Sequence, residues 1–211
     1  CGARPVPMPL LEKNNYHPDL NDLAKKITKR TRLIILNSPN NPCGSILSRD
    51  EIVTLGKIIK DHPDLYILSD EVYKDILYDA SHVSIAAQPG MAPRTIILDG
   101  LSKSHAMTGW RLGGAIGPRW LVDEINRLNV NAESCTAHFV QHAGVAALAL
   151  SRDATAPLVA RLRARRDRLA ELLNDIDGVA AHLPEAGFYL FPRVTGLLQR
   201  TGFDDAEAFR K

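Results

Sequence analysis

The stretch Arg32-Leu-Ile-Ile-Leu-Asn37-Ser-Pro-Asn-Asn-Pro-Cys-Gly44 runs from an aliphatic segment straight into a dense cluster of turn-forming residues. A short, continuously apolar run bounded by turn signals reads as a buried strand. Two more runs of this kind follow, Leu65 to Leu68 ending in Ser69-Asp-Glu-Val-Tyr73, and Thr95 to Leu98 ending in Asp99-Gly-Leu-Ser-Lys103. A fourth, Leu112 to Gly117, is short and rich in glycine. Between the first two, Ser48 and Glu51 form a capping box ahead of Ile52, Leu55, Ile58 and Ile59, and His62-Pro63 closes that helix. Buried strands alternating with helical patterns predict an α/β fold, a mostly parallel sheet covered on both faces in three layers. In such sheets ligands gather beyond the carboxyl ends of the strands, where these polar clusters fall.

Downstream the texture becomes helical, over Arg119 to Val130, Ala137 to Leu150, and a long pattern from Asp153 to Ile176 ended by Gly178. Arg161, Arg163, Arg165, Arg166 and Arg168 on that last helix read as a solvated face. Val179 to Ala181 and Phe188 to Phe191 read as a hairpin bracketing Pro184-Glu-Ala-Gly187. The division expected is a large domain over residues 1–150, and over residues 151–211 an inter-domain helix with part of a small C-terminal α/β domain.

In 211 residues, 26 Lys and Arg against 24 Asp and Glu leave a net charge of +2, which offers no electrostatic case for nucleic acid. The longest apolar runs are too short to span a bilayer, so no membrane partner is expected. Cys1, Cys43 and Cys135 form no CxxC pair and read as reduced thiols, hence a cytoplasmic protein. His138 and His142 lie four apart without a third ligand, so no metal site is expected. The opening Cys1-Gly-Ala-Arg-Pro-Val and the helix beginning near the far end read as a piece of a longer chain.

The strand-end clusters offer the Asn41 amide, the Asp70 carboxylate, the Tyr73 phenol, the Lys103 amine and the Arg111 guanidinium. An amine for an aldehyde, an acid for a pyridinium nitrogen and a guanidinium for a phosphate together suit pyridoxal 5′-phosphate. The three blocks Asn37-Ser-Pro-Asn-Asn-Pro-Cys-Gly44, Ser69-Asp-Glu-Val-Tyr73 and Ser102-Lys103-Ser-His-Ala-Met-Thr-Gly-Trp-Arg-Leu-Gly113 resemble the signatures of class I/II aminotransferases, pyridoxal-phosphate enzymes of fold type I. Their order and intervals fit, with 29 residues from Asn41 to Asp70, 33 to Lys103 and 8 to Arg111.

The resemblance implies that Lys103 is the Schiff-base lysine and the base for the substrate α-proton, and that Asp70 pairs the pyridine nitrogen. Tyr73 and Asn41 would bond the ring 3′-oxygen, and Arg111 the phosphate. Many members have Ser three residues before the lysine, where this chain has Gly100, which makes Ser102 the candidate for the phosphate shell. Cys43 stands where Thr is usual and reads as a packing variant. The upstream phosphate-binding turn, the ring-stacking aromatic and the downstream arginine for the substrate carboxylate are expected outside this sequence. The activity implied is amino transfer between an amino acid and a 2-oxo acid, of the type serving aspartate or other common amino acids, in a homodimer. The same scaffold also serves C–S lyases, synthases and the ligand-sensing domains of transcriptional regulators.

Overall fold

A computed structural model describes residues 2–210, so Cys1 lies outside the described residues. The sheet has four strands in the order β1 (Leu33–Asn37), β2 (Tyr66–Asp70), β3 (Thr95–Gly100) and β4 (Gly113–Ile116). The first three are parallel, and β4 returns antiparallel to β3. Register sets Asn37 beside Asp70 and Asp70 beside Leu98, so β1 and β2 finish level and β3 runs two residues further, to Gly100.

Side chains alternate along each strand, which sends Ile34, Leu36 and Ile67 to one face. There they meet α1 (Leu20–Lys26) and α2 (Arg49–Lys60), through Leu23, Ile52, Leu55 and Ile59. Both helices start on caps legible in their first residues. Asp19 Oδ1 accepts from the Asn21 and Asp22 amides at 3.0 Å. Ser48 Oγ accepts from the Glu51 amide at 3.2 Å while Glu51 Oε2 accepts from the Ser48 amide at 2.7 Å. Closing both halves of the box satisfies two otherwise orphaned donors.

The mostly parallel α/β sheet is as expected, and its other face is covered in part. Leu33 and Ile35 on β1 are 45% and 64% exposed. The element that reaches this face is α4 (Arg119–Ala132), whose Trp120 meets Tyr66 edge-on at 5.6 Å between ring centroids. A continuous apolar strand thus marks a face meant for burial, and α4 covers one part of it.

Beyond β4, α5 (His138–Leu148) packs Ala147 against Leu101 and Met107, supporting the turn after β3 from below. The long pattern that follows is α6 (Ala156–Asn174), preceded by a 3₁₀ turn. Two of its five arginines overturn the solvated-face reading. Arg163 grips both Asp79 carboxylate oxygens at 2.8 Å and also donates to the Tyr78 carbonyl. Arg166, largely buried, stacks 4.3 Å from the Tyr78 ring centre and donates to the Pro184 carbonyl at 3.0 Å. They are the pegs that dock α6, whereas Arg161, Arg165 and Arg168 stay exposed.

The predicted hairpin also fails. Ala180 pairs with Arg193 and Ala186 pairs with Leu77, each as an isolated bridge, so Phe188 to Phe191 are not a partner strand for 179–181. Backbone bonds to Ile76 and Tyr78 claim the 185–187 segment first. The short helices α7 (Thr195–Thr201) and α8 (Ala206–Arg210) complete the described chain.

One buried charge ties the end of β2 to its surroundings. Glu71, 3% exposed, accepts from Ser69 Oγ at 2.9 Å, Ser84 Oγ at 2.6 Å and His82 Nε2 at 3.0 Å. Burial alone would raise its pKa, but these three donors and the charge of His82 outweigh it and hold the carboxyl below its ordinary 4.5. A carboxyl so held stabilises the fold fully above pH 4.5, and that stability is lost as pH falls through the lower folded value. Glu71→Ala, which strands three donors, is expected to cost about 3 kcal/mol at pH 7 in urea unfolding. Wild type and Glu71→Gln should converge in stability as the pH falls below 4.5 and through the lower folded value; a gap that stays constant down to acid unfolding would refute the charged network.

Candidate active site

The carboxyl ends of the parallel strands carry Asn41, Asp70, Tyr73 and Lys103 to one edge of the sheet. At the end of β1, Asn37 folds its side chain over the following turn, with Oδ1 accepting from the Asn41 amide at 2.7 Å. The Cys43 amide donates to Asn40 Oδ1 at 3.2 Å and the Gly44 amide to the Asn40 carbonyl at 2.9 Å, so the turn closes on itself. The Asn41 side chain stays exposed beyond it. Cys43 is half-buried, and burial pushes its thiol pKa up, away from the nucleophilic thiolate.

Asp70 closes β2. Its Oδ1 accepts from the Val72 amide at 3.3 Å, and the turn this begins drives Tyr73 inward, to 3% exposure. Tyr73 stands edge-on to Phe188, at 5.5 Å between centroids, and to Tyr189, at 6.2 Å. Its hydroxyl meets the Tyr189 hydroxyl at 3.5 Å. Burial first, then the bond to Tyr189, raise the Tyr73 pKa well above its usual value, so it is a proton donor at neutral pH.

After β3 the chain enters α3 (Leu101–Ser104), a single turn bearing Ser102 and Lys103. The Lys103 amine lies 5.8 Å from the Tyr73 ring centre and 5.9 Å from that of Phe188. Among the described residues it has no hydrogen bond and no acid partner. Lys74, next to Tyr73, differs: its amine contacts Asp99 Oδ2 at 2.5 Å and Asp75 at 3.2 Å. That pair clips the Tyr73 turn to the end of β3 and leaves Lys103 uncompensated.

Arg111 is reached through a further 3₁₀ turn, Thr108–Trp110. The Thr108 hydroxyl donates to the Ser102 carbonyl at 3.0 Å, and Arg111 donates to the Thr108 carbonyl at 2.9 Å. Arg111 is thereby tethered to the lysine turn and is exposed, with no acid partner among the described residues. It looks onto an open cleft of about 720 Å³ bounded by Trp110, Thr136 and Phe139. Lys103, Asp70, Tyr73 and Asn41 do not line that cleft. His138 and His142 meet edge-on with ring centroids 4.7 Å apart, and among the described residues no cluster of three His, Cys, Asp or Glu suits a metal.

The structure therefore brings Asn41, Asp70, Tyr73 and Lys103 to one sheet edge, with Arg111 tethered beside them. Sequence reasoning missed the Asn37 side chain, the Lys74–Asp99 clip, and Phe188 with Tyr189. The first two were visible as polar residues at strand ends; the aromatic pair was read as hairpin. What seats that pair is Gly44, at φ +74°, whose carbonyl accepts from the Glu185 and Ala186 amides at 3.0 and 3.1 Å. A Cβ on Gly44 would sit 2.2 Å from Pro184 Cβ and 2.9 Å from the Ala186 carbonyl oxygen. Gly44→Ala is thus expected to cost about 3 kcal/mol, from a strained φ and a backbone clash together. Urea midpoints are the check, and a loss under 1 kcal/mol would mean the two segments do not meet as described.

The family model for class I and II aminotransferases matches residues 1–211, and the chain belongs to that family, whose members depend on pyridoxal phosphate. It is similar to an aspartate aminotransferase of Musicola paradisiaca, 41% identical over 99% of this chain and 51% of the relative. It is also similar to an arginine–pyruvate transaminase of Pseudomonas aeruginosa, 40% identical over 93% of this chain and 50% of the relative. Among solved structures, an aromatic aminotransferase from Pyrococcus horikoshii superposes with a TM-score of 0.84 and 36% identity, covering 90% of this chain and 51% of that one. The chain spans about half the length of these relatives.

Proposed function

We propose that the protein carrying this chain is a pyridoxal-phosphate-dependent aminotransferase that moves an amino group from an α-amino acid to a 2-oxo acid, with Lys103 as its reactive amine. The observation that carries this reading is an unpaired lysine at a strand-end edge, with a carboxylate, a buried phenol donor and a tethered guanidinium around it. Two uncompensated cations suit a ligand bearing a phosphate and a ring oxygen. The chemistry of the donor set fits the cofactor group by group.

In this reading Arg111 holds the phosphate, with the Ser102 hydroxyl beside it. Asp70 accepts the ring N–H and keeps that nitrogen protonated. Tyr73 and Asn41 donate to the ring oxygen. When bound, the cofactor supplies a protonated ring that takes up the electron pair left by a broken bond at the substrate α-carbon. Lys103 Nζ first secures the cofactor and then, set free, takes and returns the substrate α-proton.

The substrate class rests on the names of the relatives, which span aspartate, arginine with pyruvate, and aromatic amino acids. Aspartate or another common amino acid is the donor we propose. A cytoplasmic homodimer belongs to the same reading, supported by the reduced-thiol pattern and by the apolar Leu128, Val130, Phe139 and Leu148 that α4 and α5 expose. Among the described residues no helix is long and apolar enough to cross a membrane.

Two measurements on the complete protein test this function. Borohydride reduction in the presence of pyridoxal phosphate should leave one pyridoxyl group on the Lys103 peptide; label on any other lysine would end the assignment. Asp70→Asn should keep most of its cofactor yet lose about 100-fold in turnover, the equivalent of losing one charge pair worth ~3 kcal/mol. Near-normal turnover in that variant would give the ring nitrogen a different partner.

A further inference from the structure

The Tyr73 hydroxyl has one hydrogen-bonding neighbour among the described residues, the hydroxyl of Tyr189, 116 positions downstream. Tyr189 is not loosely placed. The Gly187 amide donates to the Ile76 carbonyl at 2.9 Å, the Tyr78 amide donates to the Glu185 carbonyl at 3.0 Å, and the Tyr78 hydroxyl donates to the Gly187 carbonyl. Both tyrosines therefore hang from one short backbone pairing, Tyr73 three residues before Ile76 and Tyr189 two residues after Gly187. Their exposures differ sharply: Tyr73 is buried at 3%, and Tyr189 stands at the rim at 37%.

We propose that Tyr189 is a positioning residue that orients the Tyr73 hydroxyl toward the ring oxygen of the bound cofactor, the two phenols forming a donor chain from the rim to the site. This rests on the function proposed above. Without a ligand, Tyr73 donates to Tyr189. Both hydroxyl hydrogens rotate, so an anionic oxygen beside Tyr73 turns the pair round: Tyr189 donates to Tyr73 Oη, and Tyr73 donates to the anion. Donors in series polarise one another, so Tyr73 binds that oxygen more strongly with Tyr189 behind it than alone. The raised pKa of Tyr73 agrees with this, because it keeps the proton on Tyr73 for donation. A stronger donor at the ring oxygen favours the form of the lysine-linked cofactor that has lost its proton, and so lowers the pH at which its absorbance changes.

The experiment is a spectrophotometric pH titration of the complete, cofactor-loaded protein, for wild type, Tyr189→Phe, Tyr73→Phe and the double variant. Phenylalanine keeps the ring that packs on Tyr73 and Phe188, so an unchanged melting temperature is expected. The Tyr189→Phe midpoint should rise by about half a pH unit and the Tyr73→Phe midpoint by about one. In the Tyr73→Phe background, removing the Tyr189 hydroxyl should change nothing further. A Tyr189→Phe midpoint equal to wild type overturns the inference, and so does a shift that persists when Tyr73 is already phenylalanine. A wild-type protein that shows no lysine-bound absorbance overturns the proposed function itself, an outcome distinct from either.

Discussion

Three parallel strands whose carboxyl ends gather at one edge are the constraint on which everything else in this molecule rests. Asn37, Asp70 and Leu98 lie abreast, so whatever follows each strand emerges at one edge. From there the local chemistry of each turn takes over. Asn37 folds over its own loop, Asp70 begins the turn that buries Tyr73, and Gly100 admits the single helical turn with Lys103. A slip of β2 by one residue would send Asp70 to the opposite face of the sheet, among the apolar side chains of α1 and α2.

Neighbouring positions divide the electrostatic labour. Glu71 is buried and fully partnered, and it braces the strand end; Asp70, one residue earlier, uses one carboxylate oxygen for the Val72 amide and has no hydrogen bond to the other among the described residues. Lys74 and Lys103 repeat the division among cations. The first is neutralised by Asp99 and Asp75, whereas the second faces two aromatic rings and, among the described residues, pairs with no acid. Groups that hold the fold are satisfied by it, and those proposed to hold a ligand are left short of partners. That contrast separates a site from a scaffold in a region dense with charge.

Legibility followed physical range. Strands, caps and turns are decided by residues within a few positions of each other, and Ser48 with Glu51 or Asn37 through Gly44 read correctly from sequence alone. The turns that bear Asn41, Asp70 and Lys103 were legible for the same reason, since each follows closely on a strand, whereas Arg111 lies beyond two further turns. What could not be read depends on distant partners. Arg163 and Arg166 look like solvated charges until Tyr78 and Asp79, over eighty positions away, lie beneath them. Phe188 and Tyr189 alternate like a strand, and it is the Ile76 and Tyr78 backbone that claims their segment instead. The uncovered face of β1 is the converse case: Leu33 and Ile35 advertise burial, and composition says nothing about what supplies it.

The contact between the 40–46 turn and the 184–187 segment has a consequence for the order of assembly. The Ile46 amide donates to Glu185 across 139 positions, one of the longest loops the chain closes. Closure entropy grows with the logarithm of loop length, so local helices and neighbouring parallel strands form before such a contact returns its cost. The scaffold of α1, α2 and β1 to β3 is therefore the early structure, and the aromatic wall beside Lys103 is its late addition. A chain that has formed β1 to β3 and buried Leu55, Ile59 and Ile67 is, on this ordering, still without the aromatic wall of Phe188 and Tyr189.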